Sequence, residues 1–211
     1  MKLTVFGATG GTGAHVVRQA LTAGHQVTAV VRDPARLDVP GQPRLEVVPA
    51  DVLDPDALVP AISGREAVVS ALGPRGRGPS VICRDGTSSI MTAMQTAGVR
   101  RLVVVSNSGM HREGDGWFTR LVFKPVLIRI LRESYADMGE MERRVTASGL
   151  DWTIVRPPKL SDGPHTGRIA SETRGNVRGS FTISRADLAD YILRAVADPA
   201  LSRVAVSVAK G

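Results

Sequence analysis

Short apolar runs recur along this chain, each followed by residues of helical period, and this alternation constrains the fold more than any other feature. Leu3-Thr4-Val5-Phe6, Gln26-Val27-Thr28-Ala29-Val30-Val31, Leu45-Glu46-Val47-Val48 and Ala67-Val68-Val69-Ser70-Ala71 read as strands. Leu102-Val103-Val104-Val105, Trp152-Thr153-Ile154-Val155 and Val204-Ala205-Val206-Ser207-Val208 continue the series. Such runs suit strands covered on both faces. Helices fit between them at 11–23, 54–61, 83–97, about 134–148 and 185–197. Parallel neighbours need a crossover connection, so the alternation predicts an α/β fold with a doubly wound parallel sheet. With 211 residues and neither repeat nor linker, the chain reads as one domain over 1–211. Two segments break the pattern. Pro74-Arg75-Gly76-Arg77-Gly78-Pro79 is a loop by composition. Residues 159–180 hold Pro164, Gly163, Gly167, Gly175 and Gly179 but few core residues, and are expected to form a small C-terminal segment covering a ligand crevice.

Gly7-Ala8-Thr9-Gly10-Gly11-Thr12-Gly13 follows the first strand directly. Glycine permits a tight turn and lets backbone amides approach a pyrophosphate with no Cβ in the way. The helix opening there aims its free N–H groups and positive dipole end at the same anion. The spacing is G-x-x-G-x-x-G rather than G-x-G-x-x-G, but the strand-turn-helix context marks a Rossmann-type dinucleotide site. Gly7, Thr9, Gly10, Gly11, Thr12 and Gly13 are the expected phosphate contacts.

The second strand bears on which dinucleotide. NAD sites commonly end this strand in an acid that binds the ribose hydroxyls. Here Val30-Val31 runs into Arg32 and then Asp33. A guanidinium can hold a 2′-phosphate by paired charge-assisted bonds, so NADP(H) is favoured over NAD(H). Asp33 would either serve the ribose or cap the next turn, and Arg36 either contacts phosphate or is solvated. Asp51-Val52, after the third strand, faces the same choice: the Asp51 carboxylate either accepts from the adenine amino group or caps the turn. Ala71-Leu72-Gly73 and Ser106-Asn107, after the fourth and fifth strands, should border the nicotinamide side.

The formal charge is +7, of which +1 falls in residues 1–99 and +6 in residues 100–211. Only four of the 27 cations are lysines and they do not cluster, so an anionic small ligand explains the excess better than nucleic acid. Arg100-Arg101 and Arg143-Arg144 read as solvated faces. The absence of an 18-residue apolar run argues against a transmembrane helix. A single cysteine, Cys83, excludes an internal disulfide, and with no secretory signal in view it fits the reducing cytoplasm. His15, His25 and His165 lack metal-ligand spacing, so no metal is expected.

The glycine turn, Val31-Arg32-Asp33, Ala50-Asp51-Val52, Ser106-Asn107-Ser108-Gly109, Arg156-Pro157-Pro158 and Ile183-Ser184-Arg185-Ala186-Asp187-Leu188-Ala189 occur in that order. Together they make the chain resemble the atypical short-chain dehydrogenase/reductase superfamily. Its nearest look is the NAD(P)H-binding group containing biliverdin reductase B (flavin reductase) and nitrogen-metabolite-repression-regulator-like proteins. The resemblance implies that Arg32 reads the 2′-phosphate and that Ser108 lies beside the nicotinamide. It sets Pro157-Pro158-Lys159 against a Pro-Pro-His segment, so that Lys159 either meets an anionic substrate, donates a proton, or is a surface lysine.

One departure shapes the chemistry. Classical members pair Tyr with Lys in Tyr-x-x-x-Lys, whereas Tyr135-Ala136-Asp137-Met138-Gly139 ends in glycine. Tyr135 is thus as much a packing or substrate-wall residue as a catalyst. Alcohol–ketone chemistry is disfavoured. Hydride transfer to a planar acceptor such as flavin, quinone or tetrapyrrole, anionic ones included, is favoured, since solvent can supply the proton. The other readings are a non-catalytic NADP(H) redox sensor and a biosynthetic tailoring reductase or isomerase. Residues 117–132, with Trp117, Phe118, Phe123 and the cations Arg120, Lys124, Arg129 and Arg132, read as a core-packing helix pair, an aromatic lid, or a surface for a membrane or an oligomer partner. His111, three residues after Ser108, reads as a substrate contact or an exposed loop histidine.

Overall fold

A computed structural model of the chain describes residues 1–74, 80–111, 113, 129 and 131–211. Residues 75–79 and most of 117–132, including Trp117, Phe118 and Phe123, lie outside the described residues, and so do the expectations placed on them.

The chain runs β1 (Lys2–Phe6), α1 (Gly11–Thr22), β2 (Gln26–Val31), β3 (Leu45–Pro49), α2 (Pro55–Ile62), β4 (Ala67–Ser70), α3 (Ile82–Ala97) and β5 (Arg101–Val105). It continues through α4 (Arg132–Ala147), β6 (Asp151–Arg156), β7 (Lys159–Ser161), β8 (Ile169–Glu172), β9 (Thr182–Ser184), α5 (Arg185–Ala197) and β10 (Val204–Lys210). Eight strands form one sheet in the order β3-β2-β1-β4-β5-β6-β10-β8, parallel except for β8, which runs antiparallel to β10. β7 and β9 make a separate two-stranded parallel ribbon. All seven strands and five helices expected from the sequence are present; β7, β8 and β9 are additions. β7 and β8 fall in the 159–180 segment expected to cover the crevice and β9 just beyond it, and β8 widens the sheet.

Alternating side chains explain the two layers. From β1, Leu3 and Val5 enter the core beneath α1 and α5, with Val16, Ala20, Leu188 and Ile192. Phe6 enters the opposite core beneath α2, α3 and α4, with Leu58, Ile90 and Met141. Each fully buried aliphatic side chain of this kind contributes roughly 1.5–3 kcal/mol. β5 repeats the division, with Val103 on the first face and Leu102 and Val104 on the second.

The helix starts are fixed by side chains. Asp54 caps α2 by accepting from the N–H groups of Asp56 and Ala57. Ser184 caps α5 by accepting from Asp187 N–H. At α3 the capping group comes from a distance: the buried Asp137 carboxylate of α4 accepts from Cys83 and Arg84 N–H at 3.1 and 3.0 Å. α1 starts at Gly10 with no side-chain cap and no acid in its first turn.

Arg100, Arg143 and Arg144 pair with carboxylates near the surface. Arg101 corrects the reading of a solvated face. Its guanidinium turns inward, donating to Asp151 O, Thr153 Oγ1 and the Ala195 and Val196 carbonyls at the end of α5. At the far margin, β3 is largely exposed, and its Glu46 accepts from Thr28 Oγ1 and Arg65. Among the described residues, no helix is long and apolar enough to cross a membrane.

Candidate functional site

β1 lies between β2 and β4, so the strand order reverses at its carboxyl end, where open α/β sheets bind ligands. A cavity of about 620 Å³ opens there, walled by the residues that follow each parallel strand. Gly7, Thr9, Gly10, Gly11 and Thr12 come from the turn after β1, Arg32 from the end of β2, and Ala50 and Val52 from beyond β3. Ala71, Leu72 and Gly73 follow β4, Ser106 and Asn107 follow β5, and Pro157 follows β6.

The turn needs its glycines for two different reasons. Gly7 has φ +76°, and a Cβ on it would stand 2.4 Å from the Ala71 carbonyl oxygen. Gly13 has no such dihedral; there a Cβ would stand 2.2 Å from Gly7 O, so its role is the close approach of α1 to the β1 turn. The backbone is thereby drawn into a cradle a Cβ would fill, in front of an uncapped helix start. These residues fit the pyrophosphate of a dinucleotide.

Arg32 is exposed at the rim of this cavity. Asp33 caps the turn that follows, accepting from Ala35 N–H at 3.0 Å. Asp51 is likewise exposed and engaged locally, accepting from Leu53 N–H at 3.0 Å, while its neighbours Ala50 and Val52 face the cavity. Arg36 is exposed on the turn after β2.

The expected catalytic residues stand behind or beside the cavity wall. Ser108 is buried, and its N–H donates to Pro157 O at 2.9 Å, tying the chain beyond β5 to that beyond β6. Tyr135 sits in the first turn of α4 with its hydroxyl over Gly109: a Cβ there would lie 2.4 Å from Tyr135 Oη and 2.7 Å from Asn107 Oδ1. Burial raises the Tyr135 pKa, and Gly139 supplies no cation to oppose this, so the phenol stays protonated. Lys159 is exposed at the start of β7, outside the cavity wall. From the 159–180 segment only Leu160 reaches that wall. Cys83 is buried, and burial together with Asp137 pushes its thiol up to about 12, which removes it from nucleophilic roles.

Two features of the site have no counterpart in the sequence patterns. The first is a buried cluster behind the Ser106 wall. Glu142 of α4 takes a two-pronged pair from Arg156, 2.5 Å at Nη2–Oε2 and 3.0 Å at Nε–Oε1, and accepts from Ser106 Oγ at 2.6 Å. His111 Nε2 stands 3.4 Å from Glu142 Oε2, an ion-pair distance, so this histidine is neither an isolated loop residue nor a residue of the cavity wall. Burial works against ionisation of Glu142, but the contacts from His111, Arg156 and Ser106 outweigh it and hold its pKa at about 2. Asn176 steadies the same region, its Nδ2 donating to His111 O at 2.9 Å. The four cluster members are spread over positions 106–156, and no local pattern joins them.

The second is Arg185, the first residue of α5, which lines the cavity beside Gly11. In the sequence the Ile183–Ala189 motif carries only a family likeness. In the fold its polar members are each engaged. Ser184 caps α5, and Asp187 accepts from Thr166 N–H and Gly167 N–H at 2.7 and 2.9 Å, fastening that loop to the helix. The one available signal for Arg185 is a charged residue immediately after a Ser cap.

Residues 7–199 match the family described as NAD(P)H-binding. The chain belongs to this NAD(P)H-binding family. An uncharacterized chloroplastic protein of Arabidopsis thaliana is 31% identical over 179 residues, covering 81% of this chain and 63% of its own length. The chain thus spans less than two thirds of that relative. Among solved structures, the oxidoreductase ylbE of Lactococcus lactis superposes with a TM-score of 0.83 at 23% identity, over 100% of this chain and 91% of that one. A short-chain dehydrogenase/reductase of Veillonella parvula, solved in complex with NADP, gives 0.80 at 19% identity, over 99% and 94%. These likenesses show a Rossmann-like α/β fold, in keeping with membership of an NAD(P)H-binding family.

Proposed function

We propose that the protein is a cytoplasmic NADPH-dependent reductase that passes a hydride to a planar acceptor such as a flavin, quinone or tetrapyrrole. The observation that carries this reading is that one cavity joins the glycine turn and Arg32 at one end to Ser106, Asn107 and Pro157 at the other. Bound NADPH supplies the hydride. Arg32 is the residue that binds the 2′-phosphate, and the amides of the glycine turn hold the pyrophosphate. Ser106 donates its hydroxyl proton to Glu142, so its lone pairs are what it offers a ligand, such as the carboxamide N–H₂ of a nicotinamide. Asn107 has its Oδ1 occupied by Gly109 N–H at 2.6 Å, leaving its N–H₂ as a donor. Ser108 supports this wall from behind by its bond to Pro157. Met138, Pro158 and Leu160 add an apolar border suited to a flat acceptor. The NADP named with the Veillonella structure is in keeping with the cofactor proposed.

The experiment is NADPH oxidation, followed by loss of its near-ultraviolet absorbance, against FMN, riboflavin, biliverdin and quinones, with NADPH affinity measured in parallel. Turnover with any acceptor supports the reductase. Tight binding with no turnover across the panel favours the second reading, a non-catalytic NADP(H) sensor, for which the observation is Gly139 in place of the lysine that would activate Tyr135.

Two substitutions probe the parts. Arg32→Ala should weaken NADPH by about 10–100-fold while leaving NADH within a few-fold, because one charge-assisted phosphate contact is lost. Equal losses for both would remove Arg32 from the 2′-phosphate. Tyr135→Phe should keep turnover of a planar acceptor within roughly 10-fold of the parent, whereas loss of an obligatory general acid costs about 10²–10⁴. A loss of that size would make Tyr135 the proton donor and move the chemistry toward carbonyl reduction.

A further inference from the structure

Arg32 and Arg185 are the two cations among the described residues of the cavity wall, and they come from opposite ends of the chain. Arg32 stands at the end of β2. Arg185 arrives from α5 and lies directly on the glycine turn: a Cβ at Gly11 would meet its Cδ at 2.7 Å and its Nε at 2.8 Å. The absence of a side chain at Gly11 is therefore what lets the Arg185 stem rest there. The only carboxylate paired with Arg185 among the described residues is Asp162, in the loop after β7, whose side chain is 87% exposed against 28% for Arg185. An ion pair with one partner almost wholly in water is a weak tether.

We propose that Arg185 is a second phosphate-binding residue of this site, which exchanges Asp162 for the pyrophosphate of the bound dinucleotide. The inference rests on the NAD(P)H reading of the cavity and adds to it a division of labour. Arg32 distinguishes the two dinucleotides, whereas Arg185 binds the group they share. A guanidinium presents its N–H donors in a planar fork that matches two phosphate oxygens at once, which an ammonium does not. The helix bearing Arg185 is held in register against α1, because Gln19 Nε2 donates to Ala186 O at 2.9 Å. The Asp162 loop is anchored separately, through Thr166 and Gly167 on Asp187. Cofactor binding then frees Asp162 without moving α5.

Calorimetric titration of the full chain with NADPH, NADH and adenosine 2′-monophosphate tests this. Arg185→Gln should weaken NADPH and NADH by the same factor, roughly 10–100-fold, and leave the 2′-monophosphate, which lacks a pyrophosphate, unchanged. Retained binding of that nucleotide also shows the variant to be folded. Asp162→Asn, a surface change, should tighten both dinucleotides by a few-fold, because Arg185 no longer has a competing partner. Undiminished dinucleotide affinity in Arg185→Gln, or a loss confined to NADPH, would overturn the assignment, as would no change in Asp162→Asn. If the unsubstituted protein binds neither dinucleotide, the cofactor reading itself fails and this one with it; binding of both with Arg185→Gln unaffected sinks only the role of Arg185.

Discussion

Glu142→Ala should destabilise the protein by roughly 3–5 kcal/mol, the usual loss when one member of a buried ion pair is removed and its partner is left uncompensated. Glu142 takes both prongs of Arg156 and the Ser106 hydroxyl while only 9% of its side chain meets water. Against a typical total of about 5–15 kcal/mol this is a large share, and urea unfolding should show it as a lower midpoint with a similar slope. The same carboxylate sets a pH dependence. Its pKa falls from an ordinary 4.5 to about 2 on folding, so its contribution is complete above 4.5 and is lost as the pH drops toward 2. Glu142→Gln, which keeps the shape and one acceptor oxygen, should lie between parent and alanine at neutral pH and should flatten the loss of stability across that acid window. An acid limb as steep in Glu142→Gln as in the parent would mean that other carboxylates govern it.

Gly13→Ala should abolish measurable dinucleotide binding, with an affinity loss of roughly 100-fold or more from a displaced pyrophosphate cradle. A single methyl would have to occupy space 2.2 Å from Gly7 O, which is backbone and cannot rotate aside. The helix must then retreat from the turn, at a stability cost of about 1–3 kcal/mol for overpacking. Gly10→Ala is the internal comparison, because there a Cβ would stand 3.2 Å from the same oxygen and a small shift relieves it. Titration with NADPH and urea unfolding of both variants separate the effects. Parental affinity in Gly13→Ala would show that the close approach of α1 does not shape the phosphate site.

What the sequence disclosed, it disclosed through local signals. Strands β1 to β6 and β10 announced themselves as apolar runs, and the glycine turn and Arg32 lie within a residue or two of such runs. The ends of parallel strands converge, so reading strand ends located most of the cavity wall. β7, β8 and β9 are only three or four residues long, and their pairing is set by distant partners rather than by their own composition. Asp51 and Lys159 illustrate the limit at single residues: each lies two or three residues beyond the carboxyl end of a sheet strand, β3 or β6, yet each is exposed outside the wall. The Glu142 cluster and Arg185 were hidden for the same reason. Charged residues in amphipathic helices usually face water, and only the packed fold shows which of them turn inward.

The exposed strand β3 is an open edge of the sheet among the described residues. A sheet of this width ends in an unpaired row of backbone donors and acceptors, to which another chain's strand can add. Along that row β3 carries Glu46, held in place by Arg65 and Thr28, and closes on Pro49, which has no N–H to offer. An incoming strand would meet the Glu46–Arg65 ion pair and then a missing rung. The free edge of β3, next to the turn that carries Arg32, is thus a poor template for strand addition.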